Sequence, residues 1–123
     1  MTYRIAKRTM FCASHQLSHL PLDHKCARLH GHNYIVEVVL VNEKLDERGF
    51  VADFAEIGAL LDKVMELFDH RDLNVVFGSP QATTAENLAE YIFNLGIYFP
   101  ALEGYIDYVE VSETPNTWAR YYG

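Results

Sequence analysis

The runs TYRIAKRTMFCASH (2–15) and HNYIVEVVLV (32–41) both read as strand, and no helical segment lies between them. Parallel neighbours need a crossover of a dozen or more residues, usually a helix, so this pair is expected to be antiparallel. Side chains alternate along extended chain. Phe11, Ala13 and His15 therefore share one face of the first run, and His32, Tyr34, Val36 and Val38 share one face of the second. The link between them, QLSHLPLDHKCARLHG (16–31), is long for a compact domain, and such length points to function rather than simple connection.

Helices follow. After the turn-rich NEKLDERG (42–49), Asp53 is placed to cap a helix with Glu56 as its capping-box partner, and Ile57, Leu60, Leu61, Val64, Met65 and Phe68 recur at helical spacing up to an expected end near Asp69. A second helix is expected after Gly78-Ser79-Pro80, with Thr83 and Glu86 as its capping box, Leu88, Tyr91, Ile92 and Leu95 as its apolar stripe, and an exit marked by Pro100. YIDYVEVSE (105–113) alternates as a strand and TWARYY (117–122) reads as a short last one. The order ββααββ predicts an α+β fold: a four-stranded antiparallel sheet with two helices on one face. A continuous chain of 123 residues without repeat or linker fits one domain, residues 1–123.

Charge excludes some partners. The formal net charge is −7, which offers no overall basic field to hold nucleic acid. Lys25, Arg28 and Arg71 remain as local cations for a small anion. No run nears the roughly 20 apolar residues of a membrane helix, and MTYRIAKRTMF lacks the apolar core of a signal peptide, so a cytoplasmic protein is expected. Two cysteines, Cys12 and Cys26, make no disulfide framework.

The six histidines hold the chemistry most open to argument. His30 and His32 point to one side of a strand if Gly31 is extended, as two ligands of one ion require, and His15 ends another strand on a similar face. Three imidazoles would leave a tetrahedral zinc one open position. Loop histidines that are merely hydrogen-bonded satisfy the same spacing. Cys26 reads equally as a fourth zinc ligand, a small buried hydrophobe or a reactive thiol. Asp69-His70 offers a carboxylate and an imidazole for tuning a proton-transfer group, but a histidine also suits a helix C-terminus. Glu86 is a capping partner or a ligand contact. Glu113, at the end of the alternating face of Val109 and Val111, is solvated or recognises a donor-rich ligand.

Six motifs in order narrow these choices: FCASH (11–15), CARLHGHNY (26–34), VADF (51–54), FDHRDLN (68–74), TTAENLAEYI (83–92) and SETP (112–115). Over nearly the whole chain the sequence resembles the 6-pyruvoyl-tetrahydropterin synthase family, most closely its bacterial branch, the 6-carboxytetrahydropterin synthases of queuosine biosynthesis. The resemblance implies the T-fold, assembly as a homo-hexamer of two stacked trimers with sites at subunit interfaces, and a pterin substrate. It implies zinc at His15, His30 and His32, catalysis by Cys26 with the dyad Asp69 and His70, a pterin anchor at Glu113, and further pterin contacts at Thr84 and Glu86. Three residues between Cys26 and His30 resemble the carboxypterin branch; Ala85 stands where many relatives have Ser or Thr.

Overall fold

The computed structural model describes residues 1–123. Strands β1 (Tyr3–His15) and β2 (His30–Asn42) pair antiparallel along their full length, from Tyr3 opposite Asn42 to His15 opposite His30. Helix α1 (Phe54–Phe68) follows, then β3 (Arg71–Asp72), α2 (Leu73–Phe77), α3 (Ala85–Leu95), β4 (Ile106–Thr114) and β5 (Thr117–Tyr121). The sheet order is β3-β1-β2-β4-β5.

The expected ββααββ order holds for the long elements and is incomplete. The sheet has five strands rather than four and is mixed, because the two-residue β3 runs parallel to β1 at Ala13 and Ser14; α2 adds a third helix. Two and five residues are too few to generate a hydrophobic period, so neither element leaves a pattern in the sequence. Asp53 caps α1 as expected, accepting from the Ala55 amide at 2.9 Å, and α1 ends with Asp69 at its C-cap. The second cap is displaced by one residue. Thr84, not Thr83, accepts from the Asn87 amide at 3.3 Å to start α3, while Thr83 is buried and its hydroxyl donates to the Pro80 carbonyl at 2.7 Å.

One face of the sheet carries the core. Phe11, Tyr34, Val36, Val38, Val109 and Val111 pack beneath Ile57, Leu60, Leu61, Val64 and Phe68 of α1 and Leu88, Ala89 and Ile92 of α3. Each fully buried aliphatic or Phe side chain contributes about 1.5–3 kcal/mol of transfer free energy, so this layer fixes which face of β1 and β2 is inward. No helix covers the other face. There Met10, Ile35 and Trp118 are exposed, Arg8 pairs with Glu37, and the Arg120 guanidinium bonds Glu110 at 2.8 Å while lying over the rings of Tyr108 and Trp118. Both edges of the sheet are open: β1 is paired on its outer side only at Ala13 and Ser14, and β5 only on its inner side.

Candidate functional site

The antiparallel register brings three histidines together. His15, the last residue of β1, lies directly opposite His30, the first of β2, and His32 follows two residues on, on the same face. Their ring centroids are 4.6, 4.8 and 5.2 Å apart, and one nitrogen from each ring lies within 4.8 Å of the others.

Hydrogen bonds set which nitrogen is free. His15 Nδ1 lies 3.0 Å from the Thr83 carbonyl and 3.2 Å from its hydroxyl; His30 Nδ1 lies 2.7 Å from the Arg28 carbonyl. A carbonyl can only accept, so each Nδ1 carries the proton and each Nε2 presents a lone pair. His15 Nε2 is buried and has no protein partner. Burial, assisted by His30, pushes the His15 imidazole down to about 4, and the same two causes lower His32. Both rings are therefore neutral near pH 7, the state in which imidazole binds a metal.

Glu113 closes this group. Its Oε2 is 3.4 Å from His15 Nε2 and 3.6 Å from His32 Nε2. Burial raises the Glu113 carboxyl above the ordinary range, with His30 opposing and Glu86 adding to the rise. The bare His15 Nε2 and an ionised carboxylate have no proton to share. A divalent cation satisfies both, and three imidazoles, two of them oriented by backbone carbonyls, are a donor set that fits zinc. Glu86 and Glu113 also line one cavity of about 410 Å³ with Val111, Thr117, Trp118 and Arg120. Thr84, the α3 cap, immediately precedes Ala85, which also lines it.

The second candidate group adjoins the first at His32. Asp69 Oδ2 is 2.9 Å from His70 Nδ1, and Asp69 Oδ1 accepts from the Cys12 amide at 3.0 Å. That backbone bond, with His70, holds the Asp69 carboxyl below its usual range. The His70 amide donates to the Cys12 carbonyl at 2.6 Å, and His70 adopts φ +57°, a left-handed conformation unusual for a non-glycine residue. Its imidazole opens into a polar cavity of about 500 Å³ that it lines with Cys12, Asn33, Arg71, Asp72 and His32, one of the three clustered histidines. The Cys12 thiol donates to Asn33 Oδ1 at 3.0 Å.

Cys26 joins neither group within the chain. It lies in a 3-10 turn, Lys25–Ala27, where its amide donates to His24 Nδ1 at 3.1 Å and its carbonyl accepts from Leu17 at 2.7 Å. The thiol is half-buried, is not one of the clustered metal-ligand candidates, and lines neither of these cavities. The three cations also separate, with Lys25 and Arg28 flanking Cys26 and Arg71 beside His70. Sequence reasoning missed Thr83 as the residue that orients His15, having given it a capping task, and it missed the neighbourhood of Cys12 and the dyad.

Fold and site together define an α+β protein with three histidines placed where they could hold a metal ion, at the end of an antiparallel strand pair. A family profile for 6-pyruvoyl tetrahydropterin synthase matches residues 4–123, and the chain belongs to that family. It is 32% identical to the 6-pyruvoyl tetrahydrobiopterin synthase of Dictyostelium discoideum over 133 residues, covering 99% of this chain and 97% of that protein. It is 36% identical to the 6-carboxy-5,6,7,8-tetrahydropterin synthase of a Synechocystis species over 127 residues, covering 96% and 92%. The solved 6-pyruvoyl tetrahydropterin synthase of Caenorhabditis elegans superposes with a TM-score of 0.84 at 27% identity, covering 100% of this chain and 96% of that one.

Proposed function

We propose that this protein is a zinc-dependent 6-carboxytetrahydropterin synthase of the queuosine route, converting 7,8-dihydroneopterin triphosphate to 6-carboxytetrahydropterin with loss of acetaldehyde and triphosphate. The observation that carries the metal-dependent reading is the cluster of His15, His30 and His32 with the unpartnered, buried His15 Nε2. The Cys26-to-His30 spacing supports the carboxypterin branch over the pyruvoyl one, and the Synechocystis relative is consistent with it.

Zinc held by the three imidazoles would supply Lewis-acid polarisation of the side-chain oxygens. The chain's own residues do the rest. Cys26, as thiolate, removes a proton from the substrate side chain. His70 moves protons from Nε2, because the bond from Nδ1 to Asp69 fixes its tautomer and orientation. Glu113 accepts from the adjacent ring N–H and amino donors of the pterin, a pairing that a carboxylate's two oxygens match. Glu86 and Thr84 border the same end of the site. Lys25, Arg28 and Arg71 attract the triphosphate.

Cys26 does not line the cavity that holds His70, and the reading brings the two together by having subunits share sites. Open edges at β1 and β5 and the uncovered face support a trimer closed through sheet edges, doubled to a hexamer. No helix is long and apolar enough to cross a membrane, and we place the enzyme in the cytoplasm.

The Dictyostelium relative favours a second reading, a 6-pyruvoyl-tetrahydropterin synthase. Mass spectrometry of the product from dihydroneopterin triphosphate separates the two: a carboxypterin supports the first assignment, and a pyruvoyl product replaces it with the second.

A further inference from the structure

The centre contains a second buried polar atom without a partner, the hydroxyl of Tyr34. Tyr34 is fully buried. Its ring stacks on Phe11 at 4.9 Å and meets the edges of the His32 and His15 rings at 5.3 and 6.0 Å, so the residue forms the floor of the histidine cluster. Packing alone would be served by phenylalanine, which has the same ring and buries no unsatisfied hydroxyl. The strand register names the group that the hydroxyl can serve. Ile35 lies opposite Ser112 on β4 as the last pair of that ladder, and Tyr34 and Glu113 are the residues next beyond it on the two strands. Glu113 turns Oε2 to the imidazoles, which leaves Oε1 for another donor.

We propose that Tyr34 is a positioning residue whose hydroxyl donates to the Glu113 carboxylate in the ligand-bound site and holds it against the N–H donors of the bound heterocycle. The inference rests on the pterin reading above. In the free protein the hydroxyl is held without a partner at some cost in stability, a pattern found where function, not packing, sets the residue.

The test uses the zinc-loaded full chain and Tyr34→Phe, with biopterin, an oxidised pterin that is not turned over, as the probe. Tyr34→Phe is expected to bind the same amount of zinc, to melt at least as high as the parent when ligand-free, and to bind biopterin about tenfold more weakly, the size of one charge-assisted hydrogen bond. In turnover the larger share of the loss should fall in KM. In a Glu113→Gln background the same change should have no further effect on biopterin affinity, because its acceptor is already altered. A biopterin affinity within twofold of the parent's, or a full tenfold loss that persists in the Glu113→Gln background, overturns the proposal. A parent protein that binds no pterin overturns the functional reading itself, and the two failures are thus distinguishable.

Discussion

His15 shows how a single side chain records its task in its environment. It lies at the end of a core-facing row, with its Nδ1 committed to Thr83 and its Nε2 left bare, and burial drives its imidazole to about 4. An unfolded histidine titrates near ~6.5, so below that pH the unfolded metal-free chain binds a proton that the folded chain refuses. Stability is therefore full above pH 6.5 and is lost as pH falls towards 4. The loss should reach up to about 3 kcal/mol, read as a falling urea midpoint of the metal-free protein, and His15→Gln should flatten this dependence. The two thiols give a sharper contrast. Cys26→Ala is expected to reduce kcat by 10²-fold or more with zinc still bound, the usual scale for a lost proton-transfer group, whereas Cys12→Ala should keep most of the activity. Steady-state kinetics on both variants checks this; a reversal would assign the base to Cys12, whose amide and carbonyl already hold Asp69 and His70. The metal-ligand candidates were legible because alternation on a strand puts His30 and His32 on one face whatever the loop does. Thr83 was not, because its bond to His15 joins residues 68 positions apart and no local pattern encodes it.

Elements divide between those that announce themselves and those that depend on distant partners. Helix α1 was legible to within a residue from its cap and stripe. The start of α3 was misread by one residue because adjacent threonines are equally able to cap, and only the burial of Thr83 decides between them. Strand β3 was invisible: two residues acquire strand geometry only through pairing with Ala13 and Ser14. That pairing matters to the site, since it anchors the chain just after His70. Capping makes the elements separable by experiment. Asp53→Ala should lower stability by about 1 kcal/mol in urea unfolding, leaving zinc content and biopterin affinity unchanged. Thr84→Ala should cost a similar amount, about 1 kcal/mol, and weaken biopterin binding as well, because Thr84 caps the helix that brings Glu86 to the cavity.

At the scale of the molecule, one chain holds a cluster of three histidines with Glu113 and, beside it, the Asp69-His70 pair, whose cavity His32 also lines, while Cys26 lines neither cavity. The sequence singled out both sets of residues as candidates and could not reveal how the second is held, which follows from the left-handed turn at His70 and the docking of Asp69 on the Cys12 amide. If subunits share sites, mixtures complement. Cys26→Ala and His70→Ala proteins, each nearly inactive, should regain activity well above either alone after unfolding and refolding together, and no recovery would mean that each chain works unaided. On the proposed reading a net charge of −7 leaves Lys25, Arg28 and Arg71 to attract the triphosphate. The central claim concerns the reaction, and the most direct measurement is acetaldehyde released per triphosphate when zinc-loaded protein is given 7,8-dihydroneopterin triphosphate. The predicted result is equal amounts of both, with 6-carboxytetrahydropterin as the pterin product; triphosphate without acetaldehyde, or neither, would contradict it.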